Sequence, residues 1–219
     1  MTATSAKQEI LRRVRAAKGG TADAASAQAA WSGLSREYKR TATLDAEAKL
    51  ALLEHRLRDY DAHVVRVPQE QLAEAIAQRL AERGKHRIVI PTGLVNPLPA
   101  GFDFVVDDGL SAAELDVFDG VLTQSTAAIA ETGTIILHAL PGQGRRALTL
   151  VPDYHLCLVR MQDVVETVPE AMTRIAPLAG LATTFVSGPS ATADIEMTRI
   201  KGVHGPRHLD VILYDAARP

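Results

Sequence analysis

Residues 63–91 read HVVRVPQEQLAEAIAQRLAERGKHRIVIP, and the apolar period changes twice along them. At 63–67, Val64, Val65 and Val67 suit an extended chain, in which successive side chains point to opposite faces. Over 69–83, Leu72, Ile76 and Leu80 fall four apart, the spacing of one helical face, and Gly84 supplies the stop. Residues 87–91 are a short apolar run of the kind buried in a sheet. The rhythm continues in both directions. Upstream, 45–59 is predicted helical, with Ala46, Leu50, Leu53, Leu57 and Tyr60 in register. Downstream, strands are predicted at 104–106, 117–123, 134–137, 147–151, 156–160, 183–186 and 211–214. Ser111 with Glu114, and Thr167 with Glu170, form capping boxes that open short helices. Pro169 sits in the first turn of the second, where a missing N–H costs nothing. Residues 125–130 read as a helical turn that Gly133 breaks. Strands alternating with helices over about 150 residues indicate an α/β fold, a mostly parallel sheet flanked by helices.

Composition narrows the function. The 219 residues carry 26 acidic and 24 basic side chains, so the basic excess of a dedicated nucleic-acid binder is missing. Hydrophobic residues make up 47% of the chain and aromatics only 4%, while Ala occurs 35 times. The core is therefore expected to be aliphatic and closely spaced. The single cysteine, Cys157, excludes a disulfide framework and every all-cysteine zinc or iron–sulfur site within this chain. The nucleophile-elbow pattern G-x-S-x-G and the dinucleotide fingerprint G-x-G-x-x-G are both absent.

The first residues, MTATSAKQEILRRVRAAKGG, lack the continuous apolar segment of a secretory signal. Their Ala-, Ser- and Arg-rich character also fits an organellar transit peptide. The competing reading is a short amphipathic helix, with Ser5 and Gln8 as a capping box and Ile10, Leu11 and Val14 on one face. No stretch approaches the ~18 apolar residues of a membrane span, so a cytoplasmic location is expected. Residues 18–35 are small and polar apart from Trp31 and read as a flexible link that Trp31 anchors. The expected organisation is an N-terminal helical extension and link over 1–40, then an α/β domain over 41–219.

One charge feature interrupts the pattern. Asp103, Asp107, Asp108, Glu114, Asp116 and Asp119 occur in a run without a base. A solvated face, a partner surface and a divalent-cation site compete, and the absence of EF-hand spacing favours the solvated face.

Three glycine-containing segments break the helix–strand rhythm. In AETGT, 130–134, Gly133 supplies a positive φ and Thr132 and Thr134 satisfy free backbone groups; the functional alternative sets Glu131 at a sheet edge near a ligand crevice. In SGPSATADIE, 187–196, Gly188, Pro189, Ser190 and Thr192 follow a strand and precede a predicted helical stretch. That order suits an anion cradle of backbone N–H groups and hydroxyls, or simply a helix cap. Asp194 and Glu196 in the same segment oppose an anion. In KGVHGPR, 201–207, Gly202, Gly205 and Pro206 enforce a turn that presents His204, while Pro206 separates His204 from His208 and argues against a zinc pair.

Taken together and in this order, AETGTIIL, SGPSATADIE and KGVHGPRHLDVIL resemble the LUD-domain family, and within it the lactate-utilisation protein C group. The resemblance is strong over 117–213 and loose over the N-terminal helices. It implies a fold related to the CoA-transferase and sugar-phosphate-isomerase superfamily. It also implies a part in bacterial oxidation of L-lactate to pyruvate, beside partner proteins that carry iron–sulfur clusters. Position 191 is Ala, where the family commonly has a basic residue, which puts the handling of an anionic ligand in question.

Two functions follow. In the first, the chain is a subunit or accessory of a lactate-oxidising system. It binds no cofactor itself, and the iron–sulfur clusters sit on its partners. In the second it is a stand-alone enzyme acting on a carboxylate, acyl-CoA or sugar phosphate. Glu131 is then nucleophile or base, Gly188, Pro189, Ser190 and Thr192 hold the anion, and His204 donates a proton. Thr132, Gly133, Thr134, Asp194 and Gly205 complete the expected ligand site, and Glu131, Ser190 and His204 are expected to converge at one end of the sheet.

Overall fold

The protein is described by a computed structural model covering residues 5–19, 23–192, 200–201 and 205–215. Its packing divides it into two units, Met1–Tyr38 and Lys39–Pro219. In the first unit, α1 (Ala6–Ala17) begins at the Ser5–Gln8 capping box with both reciprocal bonds present. The stretch read as a link contains a second helix, α2 (Ala24–Ser32), because the Asp23 carboxylate accepts the Ser26 N–H and caps it. Trp31 is 62% exposed, with the Arg36 guanidinium 4.8 Å from its ring centre.

The second unit starts with α3 (Ala46–Asp59), β1 (His63–Pro68), α4 (Leu72–Glu82), β2 (Arg87–Pro91), β3 (Asp103–Asp107), α5 (Ala112–Leu115) and β4 (Gly120–Gln124). It continues with β5 (Ala127–Ile129), β6 (Thr134–His138), β7 (Tyr154–Arg160), β8 (Val164–Val165), α6 (Val168–Ile175) and β9 (Thr183–Val186). The last elements are β10 (Ala191–Thr192), β11 (Ile200–Lys201) and β12 (His208–Asp215). A six-stranded sheet runs β1-β12-β7-β4-β2-β3 with every pair parallel. The fold class is therefore as the sequence indicates. The strands of 63–91 are not neighbours: β12, β7 and β4 lie between β1 and β2.

Burial on both faces explains the near-continuous apolar strands. On β7, Leu156 and Leu158 pack with α4 through Leu72, Ile76 and Leu80, whereas Cys157 and Val159 pack with α3 through Leu50, Leu53 and Leu57. At about 25 cal/mol per Å², each such buried aliphatic side chain contributes roughly 1.5–3 kcal/mol.

A four-stranded sheet, β8-β5-β6-β9, was not expected from the sequence. Residues 127–129, read as a helical turn, form its strand β5, paired antiparallel to β6. Ala128 and Ala130 face the parallel sheet, while Ala127 and Ile129 face Ala171 and Ile175 of α6. Small side chains let the layers approach, and packing on both faces overrides the helical preference of alanine. Residues 147–151 likewise form no strand. A 3-10 turn at Arg146–Thr149 turns Leu148 into the cluster with Val89, Phe118 and Val121.

The acidic run is largely absorbed into structure. Asp107 accepts Arg145 at 2.8 and 2.9 Å, Asp119 accepts the His86 and Arg87 N–H groups at 2.9 Å, and Glu114 completes its capping box. Among the described residues, no group of three or more His, Cys, Asp or Glu side chains could hold a metal ion.

Candidate functional site

The strand β9 delivers the chain into SGPS, and the turn before β12 brings Gly205 and Pro206 against it. Together they enclose a cavity of about 210 Å³ at the amino ends of β7 and β12. Gly188, Pro189, Ser190 and Gly205, all expected ligand residues, line it. So do Arg146, Thr149, His155 and Ser187, which sequence reasoning missed. A single Arg in a non-repeating loop and a His at the start of an apolar strand carry no spacing signal, so tertiary packing alone assembles them.

Directly after Ser190 the chain is extended, and the rest of the stretch expected to be helical in SGPSATADIE lies outside the described residues. Ala191 and Thr192 form β10, paired antiparallel with Lys201 and Ile200 of β11. The Ser190 N–H donates to the Pro206 carbonyl at 2.8 Å, so this backbone donor holds the two turns together rather than facing an anion. His204 and Asp194 lie outside the described residues.

Arg146 is the only charged side chain lining this cavity among the described residues. Its Nη1 donates to the Thr149 carbonyl at 2.8 Å and to Thr149 Oγ1 at 3.0 Å. The floor is His155, buried on β7, with Nε2 2.8 Å from Thr123 Oγ1. Burial first, and the Arg146 charge second, pull its pKa down to about 4, so the imidazole is neutral near pH 7. Cys157, two residues on, is buried on the same face. Burial pushes its thiol up to about 12, which makes it inert as a nucleophile.

The AETGT turn supports this cavity from behind. Thr132 Oγ1 and Thr134 Oγ1 lie 2.7 Å apart, and Thr134 Oγ1 meets Ser187 Oγ at 2.8 Å. Gly133 has φ +60° at the turn between β5 and β6, and a Cβ there would sit 2.8 Å from Arg56 Cβ. Gly188 has φ +83°, and its Cβ would meet Tyr60 Cβ at 2.5 Å. Both glycines are required by backbone conformation and by the close approach of α3 and its C-cap.

Glu131 is not among the cavity's lining residues. Its carboxylate pairs with Lys39 at 2.9 Å, and Lys39 also pairs with buried Glu166. Glu166 further accepts the Thr43 and Leu44 N–H groups at 2.7 Å each. The Lys39 ammonium holds the Glu166 carboxyl at about 2, well below the usual carboxylate range. This network ties 39–44 to the turn after β8.

An α/β protein with a mixed four-stranded layer laid on a parallel sheet, and a small cavity with one arginine at the sheet's amino edge, is the class these elements define. Residues 110–214 match the LUD domain model. Lactate utilization protein C of Deinococcus radiodurans is 44% identical over 180 residues, 80% of this chain and 84% of that protein. Lactate utilization protein C of Shouchella clausii is 33% identical over 114 residues, 50% of this chain and 49% of its own. The crystal structure of a DUF162-family protein from Deinococcus radiodurans aligns with a TM-score of 0.68 at 39% identity, covering 78% of this chain and 99% of that one. The chain belongs to the LUD-domain family.

Proposed function

We propose that this chain works in lactate utilisation, as a component of a cytoplasmic system that oxidises L-lactate to pyruvate. The relatives' names support the role. The cavity supports a small carboxylate as its ligand, and the observation that carries this reading is Arg146 exposed to a 210 Å³ space beside neutral His155 and the Ser187 hydroxyl. A guanidinium matches a carboxylate in charge and geometry. Ser187 and Ser190 add hydroxyl partners for the 2-hydroxyl or 2-oxo group.

Oxidising L-lactate to pyruvate releases two electrons and two protons, and the electrons must leave the chain. A cluster needs several thiolates, and this chain has one cysteine, buried with its thiol held protonated. The residues present do not fit a cluster. In this reading the iron–sulfur clusters belong to partner proteins, and this chain binds or presents the carboxylate.

The test combines genetics and binding. Deleting the gene is expected to abolish growth on lactate. Arg146→Leu is expected to weaken L-lactate and pyruvate binding by calorimetry about tenfold or more, the scale of one lost charged hydrogen bond. Unimpaired growth of the deletion strain would refute the role, and unchanged affinity would refute the site. Turnover by the isolated chain that disappears in Glu131→Gln would favour the stand-alone enzyme, with Glu131 as nucleophile or base and His204 as proton donor.

A further inference from the structure

The floor of the amino-edge cavity carries a hydrogen-bond acceptor whose direction the fold sets. His155 lines the cavity although it is only 1% exposed. Across β4 and β7, Val121 pairs with His155 and Thr123 with Cys157, so Thr123, His155 and Cys157 meet on one face of the sheet. His155 Nε2 lies 2.8 Å from Thr123 Oγ1, and the Thr123 hydroxyl donates to Cys157 Sγ at 3.7 Å. A hydroxyl has one proton to give. With that proton directed at Cys157, Thr123 Oγ1 accepts from His155, so Nε2 carries the ring proton and Nδ1 is bare. The Arg146 charge favours the same arrangement, since a cation prefers a lone pair to an N–H on the side that shares its cavity.

Nδ1 is also the atom that reaches the cavity. Among the described residues, the sealed side-chain polar atoms without a hydrogen-bond partner are Gln69 Oε1 and His138 Nε2. His155 Nδ1 has no partner among the described residues and is not sealed, so it opens where the ring lines the cavity. The neighbouring hydroxyls point elsewhere. Thr149 donates to the Arg146 carbonyl at 3.4 Å, and Ser187 Oγ meets Thr134 Oγ1 at 2.8 Å. Arg146 stands close enough for its charge to be felt at His155. It spends Nη1 on Thr149, which leaves Nε and Nη2 for a ligand.

We propose that His155 Nδ1 decides which acid the cavity accepts: a 2-hydroxy acid that donates its hydroxyl proton there, and not the 2-oxo acid of the same skeleton. This inference rests on the reading of Arg146 as a carboxylate site and assigns the second contact. The carboxylate meets the guanidinium, and the hydroxyl on the next carbon meets Nδ1. A 2-oxo group offers only lone pairs, so it leaves Nδ1 unpaired and sets two acceptors against each other. The cavity therefore holds the reduced acid and releases the oxidised one.

L-Lactate, pyruvate and propionate are titrated into the full chain by calorimetry near neutral pH. L-Lactate is expected to bind about tenfold or more tighter than the other two, the scale of one buried acceptor left unpaired. His155→Gln keeps an N–H toward Thr123 but has no acceptor at the Nδ1 position, and it is expected to lose the preference for L-lactate. His155→Asn sets its carbonyl oxygen where Nδ1 stands and is expected to recover that preference; circular dichroism checks that both variants fold. In the native chain, nitrogen NMR of the imidazole is expected to show Nε2 protonated and Nδ1 bare, with L-lactate but not propionate moving the Nδ1 signal. Equal affinity for L-lactate and pyruvate, both lost in Arg146→Leu, overturns the role of His155 and leaves the carboxylate site standing. A proton on Nδ1, or an undiminished preference in His155→Gln, overturns it equally. Failure of all the acids to bind removes the carboxylate site itself, and the selection with it.

Discussion

Acidification tests the buried imidazole at the floor of the anion cavity. His155 is held neutral in the folded chain, its pKa pulled from 6.5 to about 4, first by burial and second by Arg146. Its folded value lies below its unfolded value, so as pH falls the unfolded chain takes up the proton first. The stabilisation is fully present above about pH 6.5, is lost as pH falls toward 4, and levels off below that. A displacement of this size amounts to roughly 3 kcal/mol between pH 7.5 and pH 4. In urea unfolding, the native chain is therefore expected to lose about that much more stability over this interval than His155→Gln, which cannot charge. All other titrating groups are common to the two proteins and cancel in the difference. The ring is read directly by NMR, where it is expected to titrate near 4. In Arg146→Leu it is expected to move upward but to stay below its ordinary value, because burial is the larger cause. Equal pH slopes for the two proteins, or a ring titrating at its ordinary 6.5, would refute the argument.

Other outcomes follow from the same packing. Replacing Glu166 by Gln should remove the anchor of 39–44, seen as faster amide exchange at Thr43 and Leu44. It should also flatten the loss of stability that sets in as pH falls from 4.5 toward about 2, the window of that depressed carboxyl. Cys157 should resist a thiol reagent in the native chain at pH 8 and react once unfolded, since its thiol stays protonated up to about pH 12. Gly188→Ala should cost about 1–3 kcal/mol from its positive φ plus the collision with Tyr60, read as a lowered midpoint in denaturant. Leu53→Ala, in the packed face of α3, should cost about 2–5 kcal/mol in the same assay.

Some of the candidate site was legible because it rests on backbone conformation. Gly133 was expected at positive φ and Gly188 in a loop after a strand, and the structure shows each at positive φ with α3 or its C-cap too close for a Cβ. The hydroxyls of Thr132 and Thr134 were expected to serve backbone groups. They instead form a chain to Ser187, a contact across more than fifty residues of sequence that no local pattern encodes. Glu131 carried a functional reading because its turn was set at a sheet edge near a ligand crevice; its partner Lys39 lies in a segment without periodicity.

By itself the sequence determined the parallel sheet and every helix except α2, since hydrophobic period, capping boxes and turn glycines act over a few residues. Capping boxes at Ser5, Ser111 and Thr167 appear as written. It also determined, through one cysteine, that no all-cysteine iron–sulfur site can form within this chain. Only the tertiary structure decided the rest. The run from Ala127 to Ile129 became a strand because two layers press on it, against its local preference. Arg146, Thr149, His155 and Ser187 became one cavity because distant strands lie side by side. Such sites are made by long-range contacts, whose positions depend on which strands pair and not on the spacing of residues along the chain.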